Sequence, residues 1–473
     1  MASDNLDLCY LSATEALAAF QAKELSPVEV LQAQIDRIES VNNTVNALTD
    51  TYFDRALELA KAAETRYAKG ADVRPLEGLS CGIKDWHSVE GEITTYGSRV
   101  FADYRPDQTA PTVERLLDAG AIMHCRTTTP EFAHSGVTHT PLWGVTRNPW
   151  NPDYTPGGSS GGSGAALAAG MATIADGTDG GGSLRIPAAM SGLFGYKPPF
   201  GRNPLDREHP GETLLHYGAM TRSVADLALL QNVMSGVHPA DHYSLRERII
   251  LPKTFDSAKG LKIGLSMDLG YYRIDSQVRE NTNAAARTLQ ELGCDVDEVR
   301  LGWDTDTDEG WLTTWEGLFW ALAGELLTDS RDQLDPFVVQ ILERGREHSL
   351  KSFYNVHQLR FGMYQKLARI FQDYDLLICP TTATASVKAD QSNFESVIVE
   401  GEPVRPYIGW FLTYPFNLLS ACPVMSVPTG FADTGVPTGM QIVGRPYDDE
   451  TVFRAAAALE AATSPWKSKR PDI

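Results

Sequence analysis

Two glycine-rich turns carry the serines of this chain that could do chemistry. The first reads Gly157-Gly158-Ser159-Ser160-Gly161-Gly162-Ser163; the second reads Gly177-Thr178-Asp179-Gly180-Gly181-Gly182-Ser183 and continues Leu184-Arg185-Ile186-Pro187. Each glycine loses more backbone entropy on ordering than any other residue, so this density needs a compensating role. Bringing backbone N–H groups close to a reacting atom is one. A phosphate cradle would need Gly-Lys followed by Ser or Thr, a triplet found nowhere in the chain. A Gly-x-Ser-x-Gly elbow centred on Ser160 is present, but it calls for a later histidine base, and the last histidine is His357. A nucleophile at Ser183 fits better. The N–H groups of Gly180, Gly181, Gly182 and Ser183 can converge on one oxygen, which is the shape an oxyanion hole needs. The glycine count alone leaves a structural turn with a solvated serine equally open.

A resemblance decides between the two. Residues 157–163 and 177–188 resemble, without a gap, the signature of the amidase signature family of serine hydrolases. Gly82-Ile83-Lys84-Asp85 is similar to that family's upstream lysine motif, and residues 144–151 to the approach to its serine loop. With Gly195-Tyr196-Lys197-Pro198 and residues 437–444, the likeness spans about residues 26–460. The resemblance places the family's Ser-cisSer-Lys triad on Ser183, Ser159 and Lys84, with the serines 24 positions apart as in the family and the Gly158–Ser159 peptide cis. Many members carry threonine where this chain has Gly180, so the expectation there is a wider acyl pocket with the donors intact.

The triad has a physical logic of its own. Lysine is a base only when neutral, so Lys84 must be desolvated enough to bring its pKa down from about 10.4. It would then take a proton from Ser159, which takes one from Ser183, and the proton passes to the leaving nitrogen as the C–N bond breaks. Water hydrolyses the acyl-Ser183 in the reverse sense. The scheme needs no cofactor, metal or histidine. Asp179 and Arg185 bracket the nucleophile and are expected to brace the turn as a charge-assisted pair, with Ser160 and Ser163 hydrogen-bonding the loop rather than reacting.

The rest of the chain must position these residues. Its 473 residues are 42% hydrophobic and 22% charged, enough for a large core. A net charge of −20 argues against nucleic acid or anionic membrane as a partner. Met1-Ala2-Ser3-Asp4-Asn5 shows no signal-peptide pattern and no apolar run reaches the roughly eighteen residues of a membrane span, so the expected location is cytoplasmic. Six cysteines stand singly, without a zinc-site or disulfide spacing. Cys81 lies close enough to Lys84 in sequence to approach the site without taking part in the reaction.

Residues 12–69 read as helical. Ser26-Pro27-Val28-Glu29 forms a start signal ahead of a stripe of Val30, Leu31, Ile35 and Ile38, and 52–69 is a second helix stopped by Gly70. Both suit a scaffold or a homodimer surface. The spacing predicts a strand over 79–83 that delivers Lys84, a small-residue helix over 164–175, and an alternation of helix and strand at 112–123 and 289–296. Further strands are expected at 375–380, 424–427 and 440–443, before a helix at 450–462. The fold class is therefore α/β: one large α/β/α sandwich with a mixed, largely parallel central sheet covered by helices on both faces. Within a single domain over 1–473, 1–75 is a helical N-terminal part, 76–230 the signature core and 300–420 a variable pocket region. There Trp311, Trp315, Phe319, Trp320, Phe353, Tyr354, Phe361, Tyr364, Tyr407, Trp410, Phe411 and Tyr414 serve either the core or a pocket for an aromatic or bulky apolar amide.

The function expected is hydrolysis of a small carboxylic amide. Two alternatives stand beside it: the glutamine-hydrolysing A subunit of an aminoacyl-tRNA amidotransferase, and a catalytically silent binding protein of the same fold.

Overall fold

Alternation along the strands decides how the chain is layered. The computed structural model describes residues 2–463 and 469–473; Met1 and the side chains of residues 2–5, on which the reading of the N-terminus rests, lie outside the described residues. Eleven strands form one sheet. They are β1 (Leu48–Thr51), β2 (Ser80–Lys84), β3 (Ile122–Thr127), β4 (Ile174–Asp179), β5 (Phe194–Lys197), β6 (His216–Thr221), β7 (Lys262–Leu265), β8 (Asp295–Glu298), β9 (Leu376–Pro380), β10 (Val424–Phe431) and β11 (Pro437–Gly444). Across the sheet they run β1-β3-β2-β4-β6-β5-β10-β11-β9-β7-β8.

The sheet is mixed, and its parallel pairs gather in two flanking blocks. β3, β2 and β4 run parallel on one side, and β9, β7 and β8 on the other. The pairings from β4 through β6, β5, β10 and β11 to β9 are antiparallel, as is the edge pair of β1 with β3. Connection length explains the centre: β10 and β11 are joined by a tight turn, which permits only an antiparallel pair, whereas parallel neighbours need a long crossover. Leu376 and Ile378 of β9 enter one apolar cluster while Leu377 and Cys379 enter another, and Met425 and Val424 of β10 divide the same way. Both faces of the sheet are therefore covered, giving the α/β/α sandwich.

Local signals hold where they are strong. The helix Pro27–Val45 begins with the Ser26/Glu29 capping box and the helix Phe53–Lys69 ends at Gly70 in the left-handed conformation. Two expectations need correction. Residues 12–69 are not all helical, because Asn46 turns left-handed and releases the chain into β1. The helix over 164–175 is shorter and earlier, Gly161–Ala168; Gly170 at φ +75° ends it, and Ile174 and Ala175 open β4. Among the described residues no helix is long and apolar enough to cross a membrane.

Candidate active site

β2 carries a charge-bearing residue into the interior. Cys81 and Ile83 pack into the apolar cluster on one face, and Lys84 faces the site, fully buried. Cys81 thereby stays out of the site, and burial pushes its thiol well above its usual range. Lys84 Nζ donates to Ser159 Oγ at 2.7 Å and to Thr178 Oγ1 at 2.8 Å, while its backbone N–H donates to Asp176 Oδ1 at 2.7 Å. Burial brings the Lys84 pKa down to about 7, against the Asp176 and Asp179 carboxylates, which favour the charged form. A large share of this amine is neutral near pH 7.

The first glycine turn places Ser159 against that amine. The Gly158–Ser159 peptide is cis. A Cβ on Gly158 would stand 2.7 Å from the carbonyl oxygen of Ser135, so the turn is packed too closely for a side chain there. Ser160 Oγ accepts from the Thr178 N–H at 3.2 Å, and Ser163 Oγ lies 2.7 Å from Thr127 Oγ1; both bind the turn to neighbouring strands.

The second turn follows β4. The carbonyls of Asp179, Gly180, Gly181 and Gly182 accept in succession from Asn417 Nδ2, Trp311 Nε1, Thr413 Oγ1 and the Ile186 N–H. A planar trans peptide aims its N–H opposite its C=O, so the N–H groups of Gly180, Gly181, Gly182 and Ser183 turn away from those partners. Side chains cannot be added. A Cβ on Gly180 would stand 2.7 Å from Trp315 Cζ3, one on Gly181 2.7 Å from Trp311 Cζ2, and Gly182, at φ +127°, would place one 2.0 Å from Thr413 Oγ1. The pocket is not widened at Gly180, as the sequence suggested; the Trp315 indole occupies the space a threonine would take.

Asp179 and Arg185 hold the turn from beneath. Arg185 is fully buried and donates to Asp179 through Nε at 2.9 Å and Nη2 at 2.7 Å, and further to Thr413 O, Gln441 Oε1 and Asn417 Oδ1. Burial works to raise the Asp179 carboxyl; the guanidinium outweighs it and holds the group below its ordinary value.

Ser159, Thr178, Gly180 and Ser183 line a cavity of about 940 Å³. Trp315, Phe319 and Trp320, on the helix Asp306–Ala323, form one part of the wall; Trp86, Tyr96, Phe101 and Phe132, in contact ring to ring, form another. Among the described residues no lysine or arginine lines it. The aromatic region thus divides. Trp311, Tyr407, Trp410, Phe411 and Tyr414 are buried core, whereas Phe353, Tyr354, Phe361 and Tyr364 are exposed on the helix Leu350–Asp373. Sequence reasoning missed Thr178, the second acceptor of Lys84, although it stands within the second turn. It also missed the wall from Trp86 to Phe132, which no local pattern announces.

The chain matches the Amidase family over residues 29–453. It is 34% identical to an acylamidase of Rhodococcus erythropolis, covering 98% of both chains. It is also 32% identical to the A subunit of the glutamyl-tRNA(Gln) amidotransferase of Chloroflexus aggregans, covering 99% of both. Its fold superposes on a bacterial aryl acylamidase of the amidase signature enzymes with a TM-score of 0.90, at 31% identity over 97% of each chain. Sequence and fold comparisons converge over nearly the whole length, and the chain belongs to the amidase signature family, whose members are hydrolases acting on amides.

Proposed function

We propose that the protein hydrolyses the C–N bond of a small carboxylic amide through an acyl-Ser183 intermediate. The observation that carries this reading is the 2.7 Å hydrogen bond from Lys84 Nζ to Ser159 Oγ, in a cavity that Ser159 and Ser183 both line. Neutral Lys84 takes the Ser159 proton as Ser159 takes that of Ser183, whose Oγ attacks the carbonyl carbon. The developing oxyanion is received by the N–H groups of Gly180, Gly181, Gly182 and Ser183, preorganised by carbonyls tied elsewhere. Lys84 returns its proton through Ser159 to the nitrogen, the C–N bond breaks, and ammonia or amine leaves. Water then attacks the ester by the same relay and frees the carboxylate and Ser183. Gly158, Ser160, Asp179 and Arg185 hold the two turns in register.

The aromatic walls support a substrate with an aromatic or bulky apolar group. They also weigh against the amidotransferase reading: glutamine brings an α-carboxylate, and among the described residues the cavity has no lysine or arginine to receive it. Residues 76–230 supply the reacting groups in this reading, 300–420 one pocket wall, and 1–75 scaffold, within one cytoplasmic domain. A panel of aryl, aliphatic and amino-acid amides, glutamine included, tests it. Release of ammonia or amine from aryl amides, lost in Ser183→Ala, is expected; glutamine as the preferred substrate would favour the amidotransferase reading.

A further inference from the structure

A histidine stands among the polar groups of the cavity wall that the relay does not use. His209, in the loop between β5 and β6, lines the cavity beside Trp86, with ring centroids 5.1 Å apart and planes tilted by 31°. Its side chain is 8% exposed, and Nδ1 stands 2.8 Å from Asp206 Oδ1. The other oxygen of that carboxylate accepts from the Tyr217 hydroxyl. A carboxylate only accepts, so Asp206 fixes the proton on Nδ1. Nε2 has no protein hydrogen-bond partner among the described residues and is the ring nitrogen left for a ligand.

We propose that His209 is a specificity-determining residue, whose Nε2–H donates to an uncharged oxygen acceptor on the part of the substrate lying against Trp86. This rests on the amidase reading above and names its substrate class: amides whose flat apolar body carries a hydroxyl, ether or carbonyl oxygen away from the scissile bond. Charge selects the neutral acceptor. Asp206 offsets the imidazolium, and Glu208, also in the lining, adds negative charge that repels an anionic group. The charged and titratable groups around the ring are Asp206, Glu208 and Glu212 on its own loop, Tyr217 on β6, and His87, whose ring lies 4.4 Å from that of Tyr217. Tyr96 packs edge-on against Trp86, and Arg360 faces Glu212.

The tautomer gives the device a pH sense. Burial works against charge on His209, but Asp206 and its hydrogen bond outweigh burial, and the imidazole pKa is raised above its ordinary value. Below that pKa Nε2 is a donor. Above it Nδ1 keeps its proton for Asp206 and Nε2 becomes a bare acceptor, so selectivity for acceptor-bearing amides falls as pH rises.

Matched pairs differing by O for CH2 test this: 4-methoxy- against 4-ethylacetanilide, and 4-methoxy- against 4-ethylbenzamide, counting only turnover that Ser183→Ala removes. The wild-type ratio of kcat/KM should favour the methoxy member about tenfold near pH 6.5 in at least one pair, the worth of one hydrogen bond. It should decline toward unity at high pH. Lys84 titrates alike for both members and cancels in the ratio. His209→Leu should bring the ratio to about one at every pH, and His209→Gln, which keeps an N–H, should retain part of the preference without its pH dependence. No preference in either wild-type pair, a preference constant with pH, or one that survives His209→Leu overturns the proposal. Should the variants fail to fold, the wild-type pH series alone decides. Turnover persisting in Ser183→Ala would instead strike the amidase reading.

Discussion

Trp311 and Trp315 stack on each other, ring centroids 5.0 Å and planes 20° apart, directly behind Gly180 and Gly181. Trp311 Nε1 holds the Gly180 carbonyl at 3.1 Å and Trp315 Nε1 donates to the Tyr407 hydroxyl at 2.9 Å, so neither indole is free to retreat. A Gly180→Thr variant must displace Trp315, and overpacking of this kind costs roughly 1–3 kcal/mol. Thermal melts should show the loss, and kcat/KM for aryl amides should fall. Trp315→Leu in the same chain should recover part of both. Wild-type melting and kinetics in Gly180→Thr would show that the two residues do not compete for space.

In the proposed relay Lys84 sets the acid limb of the pH profile. Its pKa is lowered to about 7 by burial, so the base is protonated and idle below that value and neutral above it. kcat/KM should therefore rise as pH passes upward through about 7 and then level. Lys84→Met should remove the limb and, as loss of a general base, roughly 10²–10⁴ of the rate. Lys197 is a useful control: burial lowers it to about 7 as well, yet its Nζ donates to the Cys422 carbonyl at 2.8 Å and it does not line the cavity. Lys197→Met should leave the limb in place.

Thr178 accepts from the same amine as Ser159. Thr178→Val keeps the shape and removes the acceptor, which should lower kcat about tenfold, the worth of one hydrogen bond, with KM little changed. Thr178→Ser should restore most of it. Steady-state kinetics on one aryl amide are sufficient; a change confined to KM would place Thr178 in substrate binding alone.

Arg185 is buried with Asp179 and reaches three further acceptors. Lysine cannot reproduce the forked geometry, and breaking a buried pair costs about 3–5 kcal/mol. Arg185→Lys should shift the urea midpoint accordingly and abolish turnover, because the turn bearing the N–H donors loses its footing. Unchanged stability would make the pair dispensable.

The legible parts of the chain are those whose signals are local. The Ser26/Glu29 box, the glycine stops and the apolar runs around Lys84 and 375–380 each declare themselves within a few residues. The Gly/Ala segment after Ser160 has no period to read, so the helix end at Ala168 and the start of β4 at Ile174 run together in the sequence. Thr178, Trp86 and His209 gain their meaning from partners far along the chain: Thr178 meets Lys84 across 94 positions, and no spacing rule reports that. The expected widening at Gly180 failed for the same reason, because the residue that fills the gap is Trp315.

In the proposed reaction the point of acylation distinguishes Ser183 from the serines of the first turn. Turnover of a slowly deacylating aryl amide, stopped with acid and analysed by peptide mass spectrometry, should show the acyl mass on the peptide containing Ser183 and none in Ser183→Ala. Acyl mass on the peptide containing Ser159 and Ser160, or an adduct that persists in Ser183→Ala, would contradict an acyl-Ser183 intermediate.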